Sequence, residues 1–335
     1  YKRQAFMDEA ATAEIRLTKT TDEDDPKIVF DTVYQHYCLV ASIGKKRVSK
    51  TDIATGQVVE EMHLVAELEQ RTYIEQQLAA LGLAEEQLLG IHILYPGLID
   101  AMTERLSFSA VIRSWQQCCP TILPDSRAAF PDAYVMLSNN AAAVAYSAFL
   151  RDTEPPPLPL LVMTVQEGID AGAVLPGGRS MPLEAGHISI DRNGPVCNCG
   201  NHGCLEQMTS ATGIVRLAKK YLASHDTPSS LRERGESISA KAVFDALKEG
   251  DAAAEAIVQE FSEYLGRALA VFACVVDPEV IVVGGGVSKA GQILIDGVAK
   301  YYREAAFIAC KDTPIVLASL GNDAGIYGAA KMLID

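Results

Sequence analysis

The sequence has no apolar run long enough to cross a bilayer. Its longest run, around Ala268 to Val276, is far shorter than the roughly 20 residues that a membrane helix needs. The first residues, Tyr1 to Ala11, also lack the apolar core of a secretory signal. Eight cysteines without such a signal are typical of the reducing cytoplasm, where disulfides are rare. We therefore expect a cytoplasmic protein that does not insert into membranes.

Basic residues are also in short supply. The chain has 29 Lys and Arg against 43 Asp and Glu, which gives a net charge of −14. Nucleic-acid binding depends on cations that neutralise phosphates, so this balance disfavours broad DNA binding by these residues. Residues 1–26 show no recognition helix, and the sequence begins at Tyr1 and not at Met. We expect any DNA-binding domain to lie outside this sequence.

Apolar residues, in contrast, are abundant. They make up 49% of 335 residues, enough for two lobes with substantial cores. Strand-like and helical segments alternate between glycine turns, which predicts an α/β protein, and each half repeats a plan of strands followed by helices. The predicted organisation is an N-terminal stub and acidic linker (1–26), a first lobe (27–137 with 320–335) and a second lobe (138–319).

Periodicity predicts several individual elements. A hairpin-like pair of strands is expected at 160–165 and 171–175, and a strand at 280–283. The amphipathic and alanine-rich segments predict helices at 66–81, 140–150, 211–222, 240–247, 252–275 and 289–305, with a closing helix from Ala324.

The segment from Glu184 to Glu206 reads E-A-G-H-I-S-I-D-R-N-G-P-V-C-N-C-G-N-H-G-C-L-E. It holds one histidine and three cysteines within eighteen residues: His187, Cys197, Cys199 and Cys204. Four such donors suit one tetrahedral zinc ion and leave no open coordination position, which indicates a structural metal. The alternative interpretation, ordinary reduced cysteines in a core, fits this spacing less well.

This segment resembles the signature of the ROK family of bacterial repressors, open reading frames and sugar kinases. The resemblance implies a two-lobed actin/hexokinase-like (ribonuclease H-like) fold with a zinc-binding loop, and homodimers or homotetramers. It also implies that a sugar's hydroxyls contact Asn139, Glu184, His187 and Glu206. From the residues alone, Asn139 is equally well interpreted as the cap of the alanine-rich helix.

The phosphate-binding positions implied by the resemblance are altered. Where family kinases have D-x-G-G-T-K, we align D-T-V-Y-Q-H, Asp31 to His36, which keeps only the aspartate. Where they have G-T-G-x-G-x-G, the chain has Q-E-G-I-D-A-G, which keeps Gly168 and Gly172 but adds two carboxylates, at Glu167 and Asp170. Acidic side chains repel a triphosphate, so ATP binding is not expected.

The catalytic aspartate of the family's N-D-x-x-x-A motif is also replaced. Asn140 occupies that position, and an amide cannot take up a hydroxyl proton, so no catalytic residue is assigned. The run V-V-G-G-G-V-S resembles the adenosine-side loop through Gly284, Gly285 and Gly286. Such a glycine triplet is equally typical of an ordinary strand-to-helix turn.

These observations favour a ROK transcriptional-regulator body that senses a sugar or sugar phosphate without phosphorylating it. In this hypothesis DNA binding comes only from a domain absent from this chain. One alternative is an ATP-dependent kinase of a hexose or N-acetylhexosamine, with Asp170 or Asp31 as the base. A further alternative is a non-catalytic scaffold that acts through a protein partner.

Overall fold

The computed structural model describes the second half of the chain almost throughout, in residues 157–320 and 324–334. In the first half it describes residues 122–147 and, before them, mainly strand backbone: 17–19, 27–31, 36–42, 45–51, 58–64, 79, 88–95, 97–100, 103 and 105–108. The helix predicted at 66–81 lies almost entirely outside the described residues.

The chain divides into two compact units. The first comprises residues 1–143 and 325–335, and the second comprises residues 144–324. The predicted lobe boundary after residue 137 falls inside a strand, Tyr134–Asn139, which belongs wholly to the first unit. A strand that continues a sheet is not interrupted by a domain boundary, because its backbone hydrogen bonds bind it to its neighbours.

The first unit contains a five-stranded sheet in the order β1-β2-β3-β6-β9. The first three strands are antiparallel neighbours, whereas β3, β6 and β9 run parallel. The described strands of this unit are β1 (Leu17–Lys19), β2 (Lys27–Asp31), β3 (His36–Ser42), β4 (Lys45–Thr51), β5 (Val58–Leu64), β6 (Leu88–Tyr95), β7 (Leu98–Asp100), β8 (Arg105–Phe108) and β9 (Tyr134–Asn139).

Two helices flank β9 in the chain. Helix α1 (Ile122–Ala129) precedes it, and α2 (Asn140–Tyr146) follows it directly and continues across the division between the units. The segment predicted as a stub and linker also contributes to the sheet, because β1 pairs with β2 and sets Leu17 opposite Asp31. An edge strand of three residues is too short for its period to be read from sequence.

The second unit contains a five-stranded sheet in the order β12-β11-β10-β13-β14. Its strands are β10 (Leu160–Val165), β11 (Ile169–Leu175), β12 (Arg179–Leu183), β13 (Val280–Gly284) and β14 (Ile315–Leu317). Three antiparallel neighbours are again followed by two parallel ones. The two sheets therefore share one plan of strand directions, as the repeated pattern in the sequence predicts.

Helices cover the second sheet much as the sequence predicts. They are α3 (Leu205–Thr209), α4 (Ala211–Ser224), α5 (Ala240–Lys248), α6 (Ala252–Val276) and α7 (Gln292–Ala305). The last helix, α8 (Ala324–Ile334), belongs to the first unit from Gly325 onwards. The central helix α6 buries Phe261, Leu265 and Leu269 completely. Gly266 brings α6 close to α7, since a Cβ there would stand 2.7 Å from the carbonyl oxygen of Val298.

Membrane spanning is not supported by any described helix. Within residues 122–147, 157–320 and 324–334, each helix is too short or too polar to cross a bilayer.

Candidate functional site

The carboxyl edge of the first sheet carries two neighbouring asparagines. Asn139 ends β9 and is buried; its amide nitrogen donates to the carbonyl of Gly97 at 2.7 Å, and its Oδ1 accepts from the backbone N–H of Ala141 at 2.7 Å. Asn139 therefore caps α2, which is the structural role left open by the sequence. Its predicted sugar contact stays a prediction.

Asn140, at the position of the family's catalytic aspartate, has a different environment. Its Oδ1 is buried and has no hydrogen-bond partner among the described residues. A buried acceptor without a donor is uncommon and calls for an explanation, such as a group that arrives with a ligand. The structure thus shows an acceptor at the position where the family carries its base.

The two residues that bound the predicted first phosphate loop, Asp31 and His36, lie at the opposite end of these strands. Asp31 is the register partner of His36, which begins β3, and β3 runs parallel to β9. The seven residues of β3 extend over roughly 20 Å, so Asp31 is at the amino ends of the parallel strands and Asn139 at the carboxyl ends. Ligands of such sheets bind at the carboxyl ends, which removes Asp31 as a candidate base.

In the first sheet, the position equivalent to the β10–β11 turn of the second sheet comes directly after β3. In sheet position β3 corresponds to β10, because each has an antiparallel neighbour on one side and a parallel neighbour on the other. The residues that follow β3 are Ile43 and Gly44, and β4 then begins at Lys45. The sequence therefore holds a glycine directly after β3, whereas the loop predicted from the motif comes before β3.

In the second unit, the β10–β11 turn and the E-x-G-H segment are packed against each other. The turn is closed by the N–H of Gln166, which donates to the carbonyl of Gly168 at 3.0 Å. Gly186 lies directly on this hairpin, because a Cβ there would stand 2.6 Å from the carbonyl oxygen of Ile169. The glycine of E-x-G-H is thus needed to bring Glu184 and His187 close to the turn.

Glu206 joins the same group from the first turn of α3. Its Oε2 accepts a hydrogen bond from the backbone N–H of Ile169 at 3.2 Å. Gly168 leaves room for this carboxylate, since a Cβ there would lie 2.6 Å from the same oxygen. Three of the predicted sugar contacts, Glu184, His187 and Glu206, are therefore brought together at one turn of the second unit.

Asp170 lies next to the predicted sugar contacts Glu184 and Glu206. The sequence motif did not reveal this proximity. Asp170 lies opposite Thr164 on β10, and Ala171 pairs with Leu183 on β12. One step further along this register brings Asp170 alongside Glu184, on the same face of the sheet. Burial raises the pKa of the Asp170 carboxyl, and the charges of Glu184 and Glu206 raise it further, against the opposing effects of Gln166 and His187.

The four predicted metal ligands form one cluster. Cys197 Sγ lies 3.6 Å from His187 Nδ1, and Cys199 Sγ lies 3.6 Å from Cys204 Sγ. All four ligand atoms are within 4.8 Å of one another. Around a tetrahedral zinc ion, sulfur and nitrogen ligands are about 3.5–3.8 Å apart, so the cluster has the dimensions and the donor set of a zinc site.

Tight backbone turns hold the cluster together. Gly203 has a φ of +62°, and a Cβ there would overlap the carbonyl of Asp191, so only glycine fits. The N–H of Cys197 donates to Asn201 at 2.8 Å, and the N–H of Leu205 donates to Ile188 at 2.9 Å. Because His187 Nδ1 faces the cysteines, its Nε2 is left for a second partner.

A cavity of about 450 Å³ borders the β10–β11 turn at Gln166 and Glu167. Its wall combines apolar side chains, including Phe244 and Val287, with the backbone of Gly286 and with charged groups of both signs: Lys241, Lys248 and Lys289 against Glu167 and Asp245. Pockets of this size and mixed character are typical small-molecule sites. Of the predicted adenosine-side glycines, Gly286 therefore borders this cavity, whereas Gly285, with φ of +83°, lies against the carbonyl of Val165.

Comparison with known proteins identifies the family. The model of the ROK family matches residues 55–335. The chain belongs to the ROK family. The glucokinase of Halalkalibacterium halodurans is 32% identical to this ROK protein over 264 residues, 76% of this chain and 79% of that protein. The DNA-binding transcriptional repressor Mlc of Escherichia coli is 25% identical over 324 residues, 92% and 78% of the two chains.

A solved structure shows the same fold. The ROK family glucokinase from Streptomyces griseus, in complex with glucose and AMPPNP, superposes with a TM-score of 0.64 at 23% identity, and the match covers 87% of this chain and 97% of that chain. The predicted α/β fold of the actin/hexokinase type is confirmed.

The prediction of a non-catalytic regulator body is wrong. The ROK protein described here is more similar to a named glucokinase than to the Mlc repressor. The expectation that ATP does not bind is likewise unsupported, since it rested partly on a phosphate loop placed at the wrong edge of the first sheet. The prediction took the altered phosphate loops and the asparagine at 140 as loss of kinase activity, whereas the similarity of the whole chain to a glucokinase favours a kinase.

Proposed function

We propose that this ROK protein is an ATP-dependent sugar kinase that phosphorylates a hexose or an N-acetylhexosamine. The observation that carries the proposal is a contact within the second unit. The predicted sugar contacts Glu184, His187 and Glu206 (the sugar-contact group) lie against the β10–β11 turn, which holds the predicted second phosphate loop (the phosphate turn). Glu206 binds the backbone of Ile169 within the β10–β11 turn, and Gly186 packs the E-x-G-H segment onto it. Similarity to a glucokinase at 32% identity supports the same activity.

The sugar would be held mainly by acceptors. Glu184 is exposed at the turn, Glu206 is half-buried with one oxygen on Ile169, and His187 presents Nε2. Carboxylates that accept hydrogen bonds from sugar hydroxyls form charge-assisted bonds, which are stronger than neutral ones. This group would therefore orient a hexose and leave one hydroxyl directed at the phosphate turn.

The cavity beside Gly286 fits the adenosine of ATP. Phe244 and Val287 offer an apolar wall for the base, and Lys248 and Lys289 add positive charge. Gln166 and Glu167 of the β10–β11 turn line this cavity, so a nucleotide bound there would have its phosphates near the turn.

We also propose that the cluster of His187, Cys197, Cys199 and Cys204 holds a structural zinc ion. The four donors leave no open coordination position, so the metal would support the site without taking part in the reaction. By fixing His187 through Nδ1, it would orient the Nε2 that faces the sugar.

The experiment is a phosphorylation assay across a panel of hexoses and N-acetylhexosamines, with ATP, Mg²⁺ and zinc-loaded protein. The proposal predicts ADP formation that depends on one or a few sugars. Sugar-independent ATP hydrolysis alone, or no turnover with any member of the panel, would contradict it.

A further inference from the structure

Phosphoryl transfer to a sugar requires a group that takes up the hydroxyl proton. The described part of the chain offers an amide at the family's position for that group. Asn140 Oδ1 is buried and unpartnered, so it can accept a hydrogen bond from a hydroxyl, yet an amide does not hold the released proton at neutral pH. The proposed kinase therefore needs a carboxylate elsewhere.

Asp170 is the carboxylate that the fold places at the phosphate turn. It follows Ile169, whose N–H binds Glu206, and comes two residues after Gly168 of the turn. Its register sets it beside Glu184, and the charges of Glu184, Glu206 and His187 all act on it. Asp170 thus stands where the sugar-contact group meets the phosphate turn.

The position carries an energetic cost. Like charges opposite each other on a sheet destabilise it, and burial disfavours the charged form of a carboxyl. Among the described residues, Asp170 has one hydrogen-bonding side-chain partner, the amide of Gln166 at 3.5 Å, and no ion pair. A carboxylate kept against such neighbours, at the edge of a ligand group, is a candidate for a functional role.

We infer that Asp170 accepts the proton of the sugar hydroxyl, in place of the aspartate that family kinases carry at the position of Asn140. In this step the hydroxyl oxygen forms a bond to the γ-phosphorus of ATP. The bond between that phosphorus and the bridging oxygen breaks, ADP leaves with the bonding electrons, and the proton passes to an Asp170 carboxylate oxygen. The inference rests on the proposed function.

The test compares four variants of the full chain in the sugar-phosphorylation assay: D170N, N140D, the double variant D170N/N140D, and E263Q as a control. Glu263 is a carboxylate paired with Arg267 on α6 and belongs neither to the β10–β11 turn nor to the predicted sugar contacts. Removing a general base lowers kcat about 10²–10⁴-fold, so D170N should lose kcat by that factor with KM for the sugar changed only a few-fold. N140D should restore much of the kcat lost in D170N, and E263Q should behave as wild type.

Each other outcome has a separate meaning. If wild type is active and D170N keeps more than a tenth of its kcat, the inference is overturned and the kinase proposal stands. If wild type is silent and N140D is active, the substrates bind but Asp170 is not the acceptor, and the kinase proposal for the wild-type chain fails as well. If every variant is silent, the kinase proposal fails together with the inference. Thermal unfolding distinguishes these outcomes from misfolding of the variant. Because D170N removes a charge beside Glu184, its melting temperature should not fall.

Discussion

The carboxylate of Glu206 is held at the backbone of Ile169, 3.2 Å from its N–H, and it occupies the space that a side chain at residue 168 would fill. The two residues are distant in sequence, and their contact joins the segment after the metal cluster to the phosphate turn. This contact makes the glycine at 168 a requirement for the position of Glu206.

Replacing Gly168 by alanine should therefore weaken sugar binding without unfolding the protein. The new Cβ would lie 2.6 Å from Glu206 Oε2, and that atom ends a flexible side chain that can move away. A hydrogen bond to a charged group contributes about 1.5–3 kcal/mol, so the sugar KM should rise roughly 10- to 100-fold. The melting temperature should change little.

A double-mutant cycle supplies the control for this prediction. If G168A acts by displacing Glu206, the effects of G168A and E206A on sugar KM should not add, because both remove the same contact. Fully additive effects would show that Gly168 acts through something other than Glu206.

Metal removal should weaken both the fold of the second unit and sugar binding. C199S deletes one of four clustered donors and should reduce bound zinc from one ion per chain, measured by elemental analysis, to well below one. Because His187 is then no longer fixed, the sugar KM should rise as well. The matched control is C274S, an exposed cysteine outside the cluster, which should keep its zinc. Full zinc occupancy in C199S would refute the assigned ligand set.

The stability of the first unit should fall in mild acid because of His92. This side chain is fully buried between the carbonyl of Ala329, 2.7 Å from Nδ1, and the hydroxyl of Ser138, 2.6 Å from Nε2. Burial lowers the pKa of His92 to about 4, although the hydrogen bond to Ala329 opposes that shift. The unfolded chain binds a proton below about pH 6.5, whereas the folded chain does so only near pH 4.

The contribution of His92 to the free energy of unfolding is therefore fully present above pH 6.5. It is lost as the pH falls towards 4, which lowers the free energy of unfolding by about 3 kcal/mol. Urea unfolding between pH 7 and pH 4 should show this loss in wild type, and H92Q should be less stable at pH 7 but have a shallower pH dependence. H225Q, at an exposed histidine of the second unit, should retain the wild-type slope. An unchanged slope in H92Q would contradict this account of His92.

Asp251 should be a strong determinant of stability in the second unit. Its Oδ1 accepts from the N–H groups of Ala253 and Ala254 at 3.0 Å, which caps α6, and its Oδ2 accepts from Ser229 and Ser230. A single cap contributes about 1 kcal/mol, and the added bonds should bring the cost of D251A to about 2–4 kcal/mol in unfolding free energy. E263A, which breaks an exposed pair, should cost less than about 1 kcal/mol. A cost for D251A as small as that for E263A would contradict this role.

The sequence was sufficient to predict features that depend only on the spacing of residues close together in the chain. The cysteines of the metal cluster are close in the chain, so the spacing of Cys197, Cys199 and Cys204 predicted a cluster that the structure shows. The long amphipathic helix at 252–275 was also predicted almost to its ends, because its caps and period are local signals.

Features that depend on strand order or register were missed. The first phosphate loop was assigned to Asp31–His36 from a short motif, and only the pairing of β3 with β6 shows which edge of the sheet carries the ligand groups. Asp170 was nominated as a base for its residue type alone, since its position beside Glu184 depends on the register of β11 and β12. The buried contacts of His92 with Ser138 and Ala329 join distant segments and leave no local signal.

The measurement that most directly tests the central claim is the identification of a phosphorylated sugar. Zinc-loaded wild-type protein would be incubated with ATP, Mg²⁺ and one hexose or N-acetylhexosamine at a time, and the sugars would be analysed by mass spectrometry. Our account predicts that at least one sugar gains a single phosphoryl group in parallel with ADP formation. Folded protein that binds ATP and sugar but leaves every sugar unmodified would contradict it.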